Sequence, residues 1–192
     1  MHHFSDAFKF AALLIAILCS GCSSEPPSNP KDLCGVFQEK DSWYAAAHKV
    51  HERYGIPIHV AVAIMAQDHG LVMRENDPID SVFSKFKGEE EGYLTVSDEI
   101  WRQYAEEAGA FFCDRRNFGD ALDFIGWYMN KSLKKCGVAL SDAYGQYLCY
   151  REGWEGYNLE SYKVKSWMHD AALQVVKRAS AYRTQLLQCN LY

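Results

Sequence analysis

The chain has 192 residues and a net charge of −5, with 48% hydrophobic and 23% charged residues. This length is enough for one domain with a substantial core. A mildly acidic chain without a run of basic residues argues against nucleic acid, and we expect no nucleic-acid partner.

The N-terminus has the pattern of a bacterial lipoprotein signal peptide. An uncharged apolar run, Phe10–Leu18, is too short to span a bilayer and has the length of a signal-peptide core. The small pair Ser20-Gly21 then precedes Cys22, although Cys19 takes a slot where the usual pattern has leucine. We predict cleavage before Cys22 and its lipidation with palmitate. An ordinary signal peptide cut near the same point is the alternative.

The predicted processing also gives a location and a domain order. Ser23, rather than Asp, follows the cysteine and favours the periplasmic face of the outer membrane. Residues 1–21 form the predicted signal peptide. Residues 22–31, rich in proline and serine, form the predicted lipidated cysteine and flexible tether. Residues 32–192 form the predicted folded domain.

The folded part has helical periodicity almost throughout, and capping residues and glycines mark the helix ends. No segment alternates for long enough to predict a strand, and Leu71–Thr95 is predicted to be a long irregular loop. We therefore expect an all-α fold with about seven helices. The predicted helices span residues 42–54, 58–69, a segment after Ser97, 118–136, 142–153 and about 166–188.

Five cysteines follow Cys22, so at least one thiol stays unpaired unless it bridges to another chain. Cys34 opens the folded part and Cys189 nearly closes it, and we hypothesise a disulfide between these two. The pairing of the other three stays open. The cysteine spacings match no zinc pattern, and we expect no metal site.

Asp68 is the candidate for chemistry. It lies in the last turn of an otherwise apolar helix, just before Gly70. An acid there faces the negative end of the helix dipole, which raises its pKa. A raised carboxyl pKa beside a loop suits a general acid for glycosidic cleavage. A surface Asp in a helix-to-loop turn is the simpler interpretation.

Several segments together resemble a family of bacterial lipoproteins with a soluble-lytic-transglycosylase, lysozyme-like domain. The strongest is Asp120–Tyr128 (DALDFIGWY). The supporting matches are Asn29-Pro30, Cys34, Phe37, Trp43, Asp142-Ala143-Tyr144, Tyr150, Glu152, Gly153 and Tyr157. The resemblance runs from about Pro30 to Cys189.

The catalytic signature of that family has three parts. The first is Glu-Ser at the end of an apolar helix, and here it reads Gln67-Asp68-His69. The second is Gly-Tyr-Ala-Gln or Gly-Leu-Met-Gln, and here it reads Gly92-Tyr93-Leu94-Thr95. The third is Ala-Tyr, two variable residues and Gly, and here it reads Cys149-Tyr150-Arg151-Glu152-Gly153.

The resemblance implies a reaction without a cofactor. In active relatives one Glu protonates the oxygen between MurNAc and GlcNAc, then takes the proton of the MurNAc C6 hydroxyl, which closes a 1,6-anhydro ring. Asp68 would take this catalytic role. Its shorter side chain sets the oxygens back, and a misplacement of about 1 Å can cost about a hundredfold in rate. The implied substrate-binding residues are Gln67, His69, Tyr93, Thr95, Tyr150, Glu152 and Tyr157.

Two functions therefore stand at this stage. One is a lytic transglycosylase that uses an unusual Asp as its acid. The other is a protein that keeps the fold without the reaction, holding peptidoglycan or serving as a structural lipoprotein among the proteins of an envelope complex such as a secretion system. Departures from the signature at His69 and Thr95, as well as at Asp68, favour the second.

Overall fold

The computed structural model of the protein describes residues 25–71 and 90–191. Seven α-helices, one short 3₁₀-helix and a two-stranded hairpin lie within these residues. The predicted all-α class and the predicted number of helices are confirmed. The predicted signal peptide, Cys22 and residues 72–89 of the predicted loop lie outside the described residues.

The elements follow one another in a simple order. Helices α1 (Leu33–Glu39), α2 (Asp41–Tyr54) and α3 (Ile58–His69) precede the strands β1 (Glu90–Glu91) and β2 (Leu94–Thr95). Helices α4 (Asp98–Ala108), α5 (Phe118–Cys136), α6 (Ala143–Asn158) and α7 (Ser166–Gln188) follow, and the 3₁₀-helix Ser161–Val164 lies between the last two.

The hairpin is the main departure from the predicted elements. Its strands pair antiparallel, with Glu90 opposite Thr95 and Glu91 opposite Leu94. Two residues per strand are too few to produce a visible alternation, so the sequence pattern did not indicate them.

The sequence signals predicted most helix ends closely. The exceptions are α1, which was not among the predicted helices, and α6. Asp142 caps α6: its carboxylate accepts a 3.0 Å hydrogen bond from the Gly145 amide. The helix also extends to Asn158, across a kink at Gly153 with φ 78° and ψ 160°. Only glycine adopts this conformation readily, so Gly153 bends the helix instead of ending it.

Helix α3 forms the centre of the core. Residues 60–66 are all buried, and the helix packs against α7, α5, α2 and α6. A helix that is apolar on every side must be surrounded by others. Its C-terminal turn therefore brings Asp68 into the middle of the domain.

The N-terminal segment is docked on the domain. Cys34 and Cys189 form a disulfide that joins α1 to the end of α7. The Tyr182 hydroxyl donates a 2.6 Å hydrogen bond to the carbonyl of Pro30, and Pro27 is buried. Residues 28–31, the last part of the predicted tether, are therefore hydrogen-bonded to the domain: Ser28 to Glu39 of α1, and Pro30 and Lys31 to α7.

No helix in the described ranges, 25–71 and 90–191, combines the length and apolar character needed to cross a membrane.

Candidate functional site

The chain turns sharply just beyond Asp68. Gly70 and Leu71 both adopt left-handed backbone conformations, with φ 65° and 64°. Leucine is strained there, and full burial of the Leu71 side chain offsets the cost. This turn fixes the direction in which the chain leaves α3 and holds the last helical turn in place.

The carboxylate of Asp68 is enclosed by protein groups. Its Oδ2 accepts a 2.6 Å hydrogen bond from the Tyr150 hydroxyl and a 3.3 Å hydrogen bond from the Thr95 amide. Its Oδ1 lies 3.4 Å from Nη1 of Arg151. Only 2% of the Asp68 side chain is exposed. Both carboxylate oxygens are therefore occupied, and water has little access to either.

The pKa of Asp68 is raised, in the direction expected from its place at the helix end. Burial is the largest cause, because it disfavours the charged form. Arg151, the Tyr150 hydroxyl, the Thr95 amide and His69 act in the opposite direction and only partly offset burial. The end of α3 determines where Asp68 lies, but burial and the surrounding side chains determine its pKa.

Tyr150 is a neutral donor to this acid. Burial, together with the charge of Asp68 and the hydrogen bond to it, raises the pKa of Tyr150 well above its usual value. The phenol therefore keeps its proton at neutral pH and donates it in the bond to Asp68.

The second signature segment reaches the acid through the hairpin. The Thr95 amide contacts Asp68, and the Thr95 hydroxyl lies 3.1 Å from Nε2 of His69. The Tyr93 amide donates to the carbonyl of Arg115, which fixes the hairpin against the loop before α5. His69 is buried, so it supports Thr95 from within the domain.

A groove with a volume of about 570 Å³ opens beside this cluster. Thr95 and Tyr150 form part of its wall, and the kinked part of α6 forms another part. Asp68 lies behind Thr95 and Tyr150 and does not line it. The lining residues are Thr95, Val96, Ser97, Ile100, Tyr128, Tyr150, Glu152, Gly153, Trp154, Glu155, Gly156 and Leu159.

A family model described as a transglycosylase SLT domain matches residues 10–189. The chain belongs to the transglycosylase SLT domain family. No curated protein and no solved structure matches it significantly. The family assigns the chain a lysozyme-like domain with a lytic-transglycosylase-like, peptidoglycan-related function.

The three signature segments of the SLT domain meet in space. The end of α3 supplies Asp68, the hairpin supplies Thr95, and α6 supplies Tyr150, and all three are joined by hydrogen bonds. Of the predicted binding residues, Thr95, Tyr150 and Glu152 lie in the groove wall.

Glu152 lines the groove but is held by its own neighbours. Lys165 Nζ lies 2.6 Å and 2.7 Å from its two carboxylate oxygens, and the Ser161 hydroxyl donates to it. Burial acts to raise the pKa of Glu152, but Lys165 and Ser161 together outweigh burial and lower it. Glu152 is therefore ionised at neutral pH and is unsuited to act as an acid.

Four predicted binding residues do not line the groove: the buried His69, and Gln67, Tyr93 and Tyr157. Tyr93 is 4% exposed and packs edge-on against Trp43 and Phe118, so it belongs to the core. Gln67 accepts a 2.9 Å hydrogen bond from Arg178 on α7. Tyr157 stacks on Tyr162 of the 3₁₀-helix, with ring centroids 5.2 Å apart. Tertiary neighbours thus occupy the side chains of Gln67, Tyr93 and Tyr157, and their role as sugar contacts stays a prediction.

Arg151 is a site residue that the sequence analysis did not single out. It occupies a variable slot of the third signature segment, next to Tyr150, and its guanidinium faces Asp68 across 83 positions of sequence. The sequence did carry one signal for it: Arg151 is a basic residue directly after Tyr150, the tyrosine of the third signature segment. The ring of Trp154, which lies beside the third signature segment, also lines the groove and stacks on Tyr128.

Proposed function

We propose that this SLT-domain protein is an outer-membrane-anchored lipoprotein that binds peptidoglycan glycan strands in the groove beside Tyr150, and that its ability to cleave them is impaired. The observation that carries the proposal is the enclosure of Asp68. Its carboxylate is buried, is bonded by Tyr150, Thr95 and Arg151, and does not line the groove.

The chemistry of the groove supports glycan binding. Apolar and aromatic side chains such as Ile100, Trp154 and Leu159 offer surfaces for the faces of sugar rings. The hydroxyls of Thr95 and Ser97 in the wall can exchange hydrogen bonds with sugar hydroxyls. The volume of the groove falls within the range of small-ligand sites.

The position of the acid supports impaired cleavage. A general acid must come within hydrogen-bond reach of the oxygen that it protonates, directly or through one water. Asp68 reaches Tyr150 and Thr95 instead, and these two residues stand between it and the groove.

Anchoring rests on the sequence at Cys22. A lipid on that residue would hold the domain close to the membrane, because the chain is already hydrogen-bonded to α7 at Pro30. An outer-membrane anchor facing the periplasm would keep the groove beside the peptidoglycan layer. Labelling cells with a palmitate analogue tests this part: we expect label in the wild type and none in Cys22→Ser, and an unlabelled wild type would contradict it.

Sedimentation with peptidoglycan sacculi tests the binding. We expect the mature protein to sediment with sacculi, and Leu159→Asp to weaken binding several-fold by removing apolar surface from the groove. Leu173→Asp is the matched control, since Leu159 and Leu173 are 72% and 57% exposed but only Leu159 lines the groove. A folded wild type that stays in the supernatant would contradict the proposal and favour the structural role among envelope proteins.

A further inference from the structure

Two thiols meet beneath the groove. The sulfur of Cys136, the last residue of α5, lies 3.1 Å from the sulfur of Cys149 in α6. Cys149 is buried, whereas Cys136 is partly exposed. No sequence signal connected these two cysteines, which are 13 positions apart.

The third free cysteine among the described residues offers an internal comparison. Cys113 lies in the loop between α4 and α5, whereas the sulfurs of Cys136 and Cys149 are in contact at the junction of α5 and α6. Proximity therefore distinguishes one pair, Cys136 with Cys149, from the other combinations of these three cysteines.

We propose that Cys136 and Cys149 form a second intramolecular disulfide when the protein meets a disulfide oxidant. This site of thiol oxidation goes beyond glycan binding and does not depend on it. The oxidant is a small-molecule or protein disulfide, of the kind that supports disulfide formation outside the cytoplasm.

The exchange proceeds in two balanced steps. The Cys136 thiolate attacks one sulfur of the oxidant, which breaks the oxidant's disulfide, releases its first thiol and leaves a mixed disulfide on Cys136. The Cys149 thiolate then attacks the Cys136 sulfur and releases the second thiol. Two protein thiols are oxidised to one disulfide, the oxidant is reduced to two thiols, and the two cysteine protons pass to the released thiols.

The order of the steps follows from exposure. The oxidant can reach the partly exposed Cys136 but not the buried Cys149. Burial also raises the pKa of Cys149 to about 12, which makes it a poor first nucleophile; Ser132 acts in the opposite direction and Cys136 adds to the rise. Cys149 needs to react only after its partner sulfur is activated 3.1 Å away.

A disulfide between Cys136 and Cys149 would restrict the motion of residues that line the groove. Cys149 directly precedes Tyr150, and its carbonyl accepts a 3.2 Å hydrogen bond from the Tyr128 hydroxyl. Tyr128 and Tyr150 both line the groove. A disulfide would tie the end of α5 to the turn of α6 that presents Tyr150 to Asp68.

Thiol mapping tests the proposal on the whole mature protein. The reduced protein is equilibrated with oxidised glutathione, quenched with acid, alkylated under denaturing conditions and mapped by mass spectrometry. We expect Cys113 alone to be alkylated or to carry glutathione, together with a linked pair of peptides carrying Cys136 and Cys149. In Cys136→Ser, Cys149 should become alkylated or carry glutathione, and Cys113→Ser should leave the linked pair intact.

The Cys34–Cys189 bond serves as the positive control in the same sample. If that bond forms while Cys136 and Cys149 both stay alkylated, the proposal is overturned. A bond from Cys113 to either of the two would overturn it as well.

Discussion

The hydroxyl of Tyr150 donates a 2.6 Å hydrogen bond to Oδ2 of Asp68, and this bond joins two segments that lie 82 positions apart. The Thr95 amide reaches the same oxygen from a third segment. The fold thus brings the three SLT signature segments together. The acid there is Asp68, whose side chain is one methylene shorter than that of Glu and is already hydrogen-bonded to Tyr150 and Thr95. Stability and activity at this cluster should therefore respond to charge in specific ways.

Replacing Asp68 with Asn should change how stability depends on pH. The raised pKa of Asp68 means that the folded state keeps a proton which the unfolded chain releases near its ordinary value of 3.8. Wild-type stability therefore falls as pH rises from that value through the higher folded pKa. We expect the melting temperature of Asp68→Asn, minus that of the wild type, to increase from about pH 4 to about pH 8.

Comparing the two proteins at each pH also removes the contribution of His59. Burial, with a smaller contribution from Arg183, lowers the pKa of His59 to about 4, so both proteins lose stability below its unfolded value of 6.5. A melting-temperature difference that stays flat, or falls with rising pH, would contradict the enclosure of Asp68.

Arg151 should stabilise the folded protein mainly through its ion pair with Asp68. Arg151→Met leaves a buried carboxylate without its cation and should lower the free energy of unfolding by about 2–4 kcal/mol at neutral pH. Asp68→Asn in the same chain should restore part of that loss, as measured by urea unfolding. Lys134→Met, at an exposed position of α5, is the control and should change little. A double variant no more stable than Arg151→Met would contradict the pairing.

Cys34 and Cys189 should contribute to stability as a pair only under oxidising conditions, in which the disulfide between them is formed. It spans 155 positions, and closing so long a loop restricts the unfolded chain. We expect Cys189→Ser to lower the melting temperature by about 10 °C under oxidising conditions, with no added loss in the double variant with Cys34→Ser. A reducing agent should erase the difference. Equal melting temperatures in oxidising buffer would count against the bond.

Gly92 should tolerate a side chain far less well than Gly109. Both have a left-handed backbone, with φ 71° and 68°. A Cβ at Gly92 would lie 2.1 Å from the carbonyl oxygen of Arg115, whereas one at Gly109 would meet nothing within 4 Å. Gly109→Ala should cost about 1 kcal/mol for backbone strain alone, and Gly92→Ala about 2–3 kcal/mol more, by chemical denaturation. Equal losses would show that the hairpin does not pack as described.

The sequence predicted the long helices well because local chemistry determines their ends. Asn117 caps the start of α5. Gly137 ends α5 and Gly70 ends α3, and both glycines adopt the left-handed conformation that favours glycine at a helix end. The extension of α6 was not predictable in the same way, because a glycine usually indicates a helix end. Gly153 bends the helix instead, and only packing beyond it decides between the two outcomes.

The site was predictable in part. The end of an apolar helix indicated where Asp68 lies, and the signature segments indicated Thr95 and Tyr150. The enclosure of the acid by Arg151 depends on a contact across 83 positions, which no local pattern carries. Tyr93 shows the converse. Its place in a signature segment suggested a sugar contact, but in the hairpin turn its ring is buried against Trp43 of α2 and Phe118 of α5.

The most direct test of the account is the yield of 1,6-anhydro-muropeptides from sacculi with wild type, Asp68→Glu and Asp68→Gln. The extra methylene of Glu extends the carboxyl group by about 1 Å or more, toward the groove wall, and a shift of about 1 Å can change a rate about a hundredfold. Melting curves establish that all three proteins fold. We predict little or no product from the wild type and Asp68→Gln, and clear product from Asp68→Glu. Abundant product from the wild type, or a folded but silent Asp68→Glu, would contradict the account.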